Sequence, residues 1–315
     1  MKNIFIYGSA LLFFLGCVEP FDLELDKLKA RLVVQGLIEN NAGPHYIRLT
    51  KSNPGLKVIE NNDSGYIDNF FNIIEDAIIV EDATVIITDD FGQTETLELI
   101  PKKDELDPYD NTFQEFGGFY KTSNFIGVEG RTYSIKITTI EGEIYTASDY
   151  MHPISKIDSI KFQKVMGDIG KWDYYVPSLY FKDPQENEEN RYLVQLNKEE
   201  DMKIGNFSDK FAPWEFAILS DKYFQPGKTG VSIDNGGGTR DWDWFDNELG
   251  VLAYIRMNSL SDQSYNYYKF LLEQFQQDGG AYKPSPASPP TNISNGGLGF
   301  FRASAVAEAE AIIEE

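Results

Sequence analysis

Ala83-Thr-Val-Ile-Ile-Thr-Asp-Asp-Phe-Gly-Gln-Thr-Glu-Thr-Leu-Glu-Leu99 decides the fold class of this chain. Residues 83–88 are mostly β-branched, the composition of a strand. Asp89-Asp90-Phe91-Gly92 is a turn sequence, and residues 93–99 return with polar and apolar side chains in period two. Two such runs about a short turn predict an antiparallel pair.

The same pattern recurs on both sides. Toward the N-terminus, Arg31-Leu-Val-Val-Gln-Gly-Leu-Ile38 is broken by Asn40-Asn41-Ala42-Gly43-Pro44 and resumes at His45-Tyr-Ile-Arg-Leu-Thr50, a hairpin with a longer loop. Toward the C-terminus follow Gly118-Phe-Tyr120, Thr132-Tyr-Ser-Ile-Lys-Ile-Thr138 and Glu143-Ile-Tyr-Thr146, with a tight turn at Glu141-Gly142. Residues 52–75 fit no element. Short alternating strands with turn signals every ~8–12 residues predict an antiparallel sandwich, immunoglobulin-like or prealbumin-like, over residues 30–152.

Met151-His152-Pro153 interrupts the pattern, and a second β-rich domain is expected over residues 153–315. Its strands are expected at 154–162, 178–181, 191–196 and 250–257. One amphipathic helix is expected at about 261–277, with Ser261 as N-cap and Asp262 suiting the dipole of the first turn. Tyr265, Tyr268, Leu271, Leu272 and Phe275 form a single apolar stripe, which predicts core packing rather than a ligand box. Gly279-Gly280 ends the helix. Residues 283–290 are too proline-rich for regular structure, and Gly296-Gly-Leu-Gly-Phe-Phe301 approaches a closing strand. No internal repeat has a fixed period.

Cys17 is the only cysteine, so no disulfide is expected within the chain. Before it, Met1-Lys2-Asn3 carries a positive charge, and residues 4–15 are uncharged and mostly apolar. A run of about 12 residues is too short to span a bilayer and has the length of a signal-peptide core. Phe14-Leu15-Gly16-Cys17 resembles a bacterial lipobox, which implies cleavage of a signal peptide at residues 1–16 and lipidation (palmitate among the acyl chains) of Cys17. A lipid there is a stable membrane anchor, since each buried methylene contributes about 0.8 kcal/mol. Residues 17–29 would form an acidic tether carrying Glu19, Asp22, Glu24 and Asp26, similar to surface-export signals of Bacteroidota lipoproteins. A plain solvated linker has the same composition. The remaining chain is long enough for two modest domains and, at 42% hydrophobic and 14% aromatic, can bury a sizeable core.

A net charge of −22 argues against nucleic acid as a partner and against electrostatic adsorption to anionic lipid, since both need clustered Lys and Arg. Catalytic patterns are scarce. His45 and His152 lie in no zinc spacing, no Gly-x-Ser-x-Gly elbow is present, and Asn235-Gly236-Gly237-Gly238 lacks the lysine of a phosphate loop. Paired carboxylates can be drawn from 50 acidic residues almost at will, so they carry no signal for glycoside hydrolysis. The densest constellation is Asp241-Trp242-Asp243-Trp244-Phe245-Asp246-Asn247-Glu248. Asp241, Asp243 and Asp246 are a weak calcium candidate, since the EF-hand glycine is missing and its twelfth position is Leu252. Trp242 and Trp244 would either anchor a surface loop or form a contact platform with the three aspartates. No cofactor is expected.

Several stretches together resemble one family: Cys17-Val-Glu-Pro-Phe-Asp22, Leu32-Val-Val-Gln-Gly-Leu-Ile38, Ile47-Arg-Leu-Thr-Lys-Ser52, residues 83–90, Gly130-Arg-Thr-Tyr-Ser-Ile135 and residues 290–301. This is the Bacteroidota lipoprotein group known as domain-of-unknown-function family 4249, and the resemblance spans nearly all of the chain after Cys17. No activity or catalytic residue comes with it. Its members commonly accompany TonB-dependent outer-membrane transporters. The resemblance thus implies a non-enzymatic accessory or substrate-binding subunit, lipid-anchored in the outer membrane and facing the cell exterior, with a TonB-dependent receptor as partner. The role is similar in logic to SusD-like lids, although those are helical. The residues leave two alternatives open: a surface hydrolase acting on glycan or peptide, and a structural or assembly component of the envelope. The Ala- and Glu-rich residues 303–315 depart from the family ending, and both a closing strand and a frayed end stay open.

Overall fold

The computed structural model describes residues 29–52, 78–102, 117–166, 174–182, 184, 188–198, 216–223, 230–232, 237–238, 249–276 and 288–314. Its first half contributes β1 (Leu32–Glu39), β2 (Tyr46–Lys51), β3 (Ile78–Ile79), β4 (Thr84–Asp89), β5 (Thr94–Thr96), β6 (Glu98–Ile100), β7 (Phe119–Lys121), β8 (Thr132–Thr138) and β9 (Ile144–Tyr150). Then come β10 (Ile157–Val165), β11 (Tyr174–Phe181), β12 (Arg191–Lys198), β13 (Phe216–Ser220), β14 (Gly230–Ser232), β15 (Gly237–Gly238) and β16 (Leu252–Leu260). Helix α1 (Asp262–Gln276), β17 (Leu298–Ser304) and β18 (Val306–Ile312) follow.

The chain is mostly β, as its alternation predicts. Strands β8 and β9 bury every second side chain, so Tyr133, Ile135, Ile137, Tyr145 and Ala147 enter the core while Ser134, Lys136, Thr146 and Ser148 point outward. With β4 and β5 they make a four-stranded sheet in the order β5-β4-β8-β9. It faces a second sheet, β17-β1-β2-β7-β6, with β3 paired on β2. Residues 93–99 do not stay in one sheet. The run pairs with β4 through Thr94–Thr96, buries Leu97, and then pairs with β7 through Glu98–Ile100. One strand thereby turns the corner between the two layers.

Among the described pairings all are antiparallel except one. β17 lies parallel to β1, with Gly299 opposite Val34 and Phe301 opposite Gly36. Phe301 and Ala303 enter the same core as Val34, Ile47, Leu49, Tyr133 and Ile135, so the first sandwich draws on both ends of the described chain. Ala305 alone separates β17 from β18, which pairs antiparallel with β16 in the other half. The Ala- and Glu-rich end is therefore a strand, held by a ladder rather than by the weak β-propensity of alanine.

In the second half, the sheet β15-β13-β12-β16-β18 packs against β10-β11-β14 through Tyr175, Leu179, Tyr192, Val194, Ile255 and Met257. Its other face carries Leu193, Phe216, Ile218 and Leu260, which pack against Leu272, Tyr265, Tyr268 and Leu271 of α1. Burial on both faces explains why β13 reads Phe-Ala-Ile-Leu-Ser, without alternation. Helix α1 also touches β17, where the Tyr267 and Phe300 rings lie 5.0 Å apart. It is wedged between the two sandwiches.

Ser261 caps this helix. Its Oγ accepts the Ser264 N–H at 3.1 Å, and its carbonyl accepts the Tyr265 N–H at 2.8 Å. Ser261→Ala removes that acceptor from a buried helix start and should cost about 1–2 kcal/mol, read as a lower urea midpoint. An unchanged midpoint would show that the cap carries no stability.

Candidate functional site

The outward rows of the β8 sheet form one wall of an open cleft. Register places Thr88, Ser134 and Ser148 side by side across three strands, and Lys136 beside Thr146 in the next row. Gln263 and Asn266, on the first turns of α1, supply the facing wall, and Phe300 with Ile293 supplies apolar surface between them. The volume is about 800 Å³. Lys136 is the sole charged side chain among the described lining residues.

Residues 290–294 close one side of the cleft, and their polar side chains hold the backbone in place. Asn292 Nδ2 donates to the carbonyls of Phe301 at 2.7 Å and Ser148 at 3.1 Å, while its Oδ1 accepts the Phe301 N–H at 3.0 Å. Ser294 pairs with Thr146 as a strand would. Its Oγ accepts the Thr146 N–H at 2.7 Å, and its own N–H donates to the Thr146 carbonyl at 2.8 Å. The edge of β9 is thus already paired at this point. Arg31 Nε donates to the Gly296 carbonyl at 2.6 Å, so the residue just before β1 lies beside the same loop.

A buried polar layer lies at the junction of the two halves. Asp149 accepts the Ala303 N–H at 2.9 Å and hydrogen-bonds Ser261, the helix cap. Burial pushes its carboxyl up to about 6, against the opposing pull of those hydrogen bonds and of Arg302. Arg302 is itself buried, stacked 5.2 Å from the Tyr268 ring centroid, and its Nε and Nη1 have no hydrogen-bond partner among the described residues. Desolvation raises the Tyr267 and Tyr268 phenols. Glu39 pairs with Arg256, and the Ser259 hydroxyl donates to the His152 carbonyl at 2.7 Å, tying the two sandwiches together. On the outer face of β2, burial lowers Arg48 to about 10, and its Nε reaches the Gly117 carbonyl.

Cys17 and the constellation Asp241, Trp242, Asp243, Trp244 and Asp246 lie outside the described residues, as does the calcium candidate within it. The histidines are far apart in role: His45 is buried just before β2, and His152 stacks edge-on against Tyr150. Among the described residues no three His, Cys, Asp or Glu side chains group closely enough to hold a metal ion. The cleft residues carry no motif. Ser134, Ser148 and Thr88 read as an ordinary solvated strand face, and the family resemblance covers Thr88, Ser134 and residues 290–301 without giving any of them a role.

The geometry defines a class: a mostly β protein of two packed sandwiches wedged by one helix, with an open hydrogen-bonding cleft at one corner. The family whose model matches residues 18–310 is described as Domain of unknown function (DUF4249), and the chain belongs to it. No curated protein matches the chain.

Proposed function

We propose that the protein is a lipid-anchored, non-enzymatic accessory or substrate-binding subunit at the outer face of a Bacteroidota outer membrane, working beside a TonB-dependent receptor. The observation that carries this reading is the cleft. It presents hydroxyls, amides and one ammonium from rigid strands and a capped helix, which is a chemistry of binding and orientation. Its position supports the same reading. Arg31 bonds the cleft loop and Lys29 lies 3.7 Å from Glu143, so a tether from Cys17 would hold the cleft side toward the lipid.

Cys17 and Lys29 are 12 residues apart, a reach of at most ~40 Å when extended. A body confined to that radius meets a neighbouring barrel at an effective concentration on the order of millimolar, so docking needs little intrinsic affinity. No helix among the described residues is long and apolar enough to cross a membrane, and a lipid on Cys17 would supply the attachment.

The test is fractionation of the native protein, with mass spectrometry of its N-terminal peptide. A tri- or diacylated Cys17 at the mature N-terminus, and release of Cys17→Ala from the membrane fraction, are expected. A detergent pull-down should bring a TonB-dependent barrel with it. An unmodified thiol would overturn the anchor, and a pull-down without a barrel would overturn the partner.

A further inference from the structure

We infer that the corner cleft binds an acidic oligosaccharide, with Lys136 taking a sugar carboxylate and Ser134, Ser148, Gln263 and Asn266 taking hydroxyls. The inference deepens the reading of the protein as a substrate-binding subunit and rests on it. The first argument is what the cleft refuses. A bound peptide commonly adds to a sheet edge through its backbone. Here the edge strand bounding the cleft has its Thr146 N–H and carbonyl occupied by Ser294, and the adjacent Ser148 carbonyl accepts from Asn292. Recognition is left to side chains standing on the sheet face.

Those side chains suit sugars. A serine hydroxyl and a carboxamide each donate and accept, as a sugar hydroxyl does, so one ring can satisfy several of them in either sense. The cross-strand row Thr88, Ser134, Ser148 and the facing pair Gln263, Asn266 put such groups on both walls. Lys136 adds the charge preference. The chain has 50 acidic residues and a net charge of −22, yet the described lining carries no carboxylate and Lys136 has no ion pair there. At physiological salt, charge is screened within ~8 Å, so an anion in the cleft responds to this ammonium more than to distant acids. The volume suits a ligand of two or three sugar rings, within the ~300–1,000 Å³ usual for ligand sites. Strand and helix positions are already ordered, which keeps the entropic cost of binding low.

Calorimetry on the full chain in detergent micelles tests this, with trigalacturonate, maltotriose and tetra-alanine as probes. Saturable binding of trigalacturonate is expected, weaker or absent for maltotriose and absent for tetra-alanine. Lys136→Gln should weaken trigalacturonate about tenfold or more and flatten its salt dependence, the loss of one charge-assisted hydrogen bond. The double variant Gln263→Ala, Asn266→Ala should weaken it severalfold while melting as the wild type does. Equal binding by Lys136→Gln and wild type, no saturable trigalacturonate binding, or preference for tetra-alanine would each overturn the assignment. None of these results touches membrane attachment or barrel co-purification, which are read separately by fractionation and pull-down.

Discussion

Gly299→Ala is expected to lower stability by more than about 3 kcal/mol or to prevent the first sandwich from forming. Gly299 has φ +83 and sits in β17 directly opposite Val34 of β1. A Cβ there would run into the Val34 carbonyl oxygen, well inside van der Waals contact. That oxygen belongs to a strand buried in the core and cannot swing aside like the end of a side chain. The left-handed backbone adds ~1–2 kcal/mol for any residue with a Cβ. The larger loss follows if β17 lifts away, because Phe301 and Ala303 leave the core with it, and emptying a phenylalanine site alone costs about 3–5 kcal/mol. Gly296→Ala is the control. Gly296 has φ +72 but open space where its Cβ would stand, so only backbone strain of about 1 kcal/mol is expected. Urea unfolding of both variants makes the comparison, and equal losses would show that the contact with Val34 is not what demands glycine.

Asp149→Asn should change the pH dependence of stability by up to about 3 kcal/mol between pH 4 and pH 8. The Asp149 carboxyl is raised to about 6 in the fold, above the ~3.9 of an unfolded chain. The unfolded state therefore gives up its proton first as pH rises. The contribution of this group is fully present below pH 4, declines as pH climbs from 4 to 6, and is lost above that. Asparagine cannot ionise, and its Oδ1 still accepts the Ala303 N–H. The variant should gain on the wild type across that window, by about 1.4 kcal/mol per unit of displacement. Arg302, which opposes the rise, sets the absolute level of the variant, while the slope reads the carboxyl. A difference between the two proteins that stays flat from pH 4 to 8 would contradict the assignment.

The parts of the fold legible in the residues are those where one face is wet and the other dry. β4, β8 and β9 alternate, and their burial alternates with them. The helix was legible for the same reason: Ser261 caps it, and Tyr265, Tyr268, Leu271 and Leu272 line the side that packs. β13 was not, because both of its faces are covered and period two vanishes. β18 was not, because alanine is a poor strand former and the strand is held by its ladder to β16 and by packing in the second core. The corner at Leu97 looks like uninterrupted alternation, since the bend changes which sheet the strand joins without changing which side chains are buried.

The cleft was less legible than the fold. Thr88, Ser134, Lys136 and Ser148 are outward positions on strands, indistinguishable by type from any solvated face. They become a site only because α1 and residues 290–294 stand over them, and Asn292 and Ser294 hold that loop through bonds to residues about 150 positions earlier.

Sequence by itself determined the fold class and the helix with its cap. These follow from side-chain periodicity and local hydrogen bonding, both of which act within a few residues. Tertiary structure alone decided that β17 lies parallel to β1, that the first core takes residues from both ends, and that a polar corner becomes a cleft. Each is a pairing between distant segments, chosen by how whole sheets bury their apolar faces, and no local pattern encodes that choice.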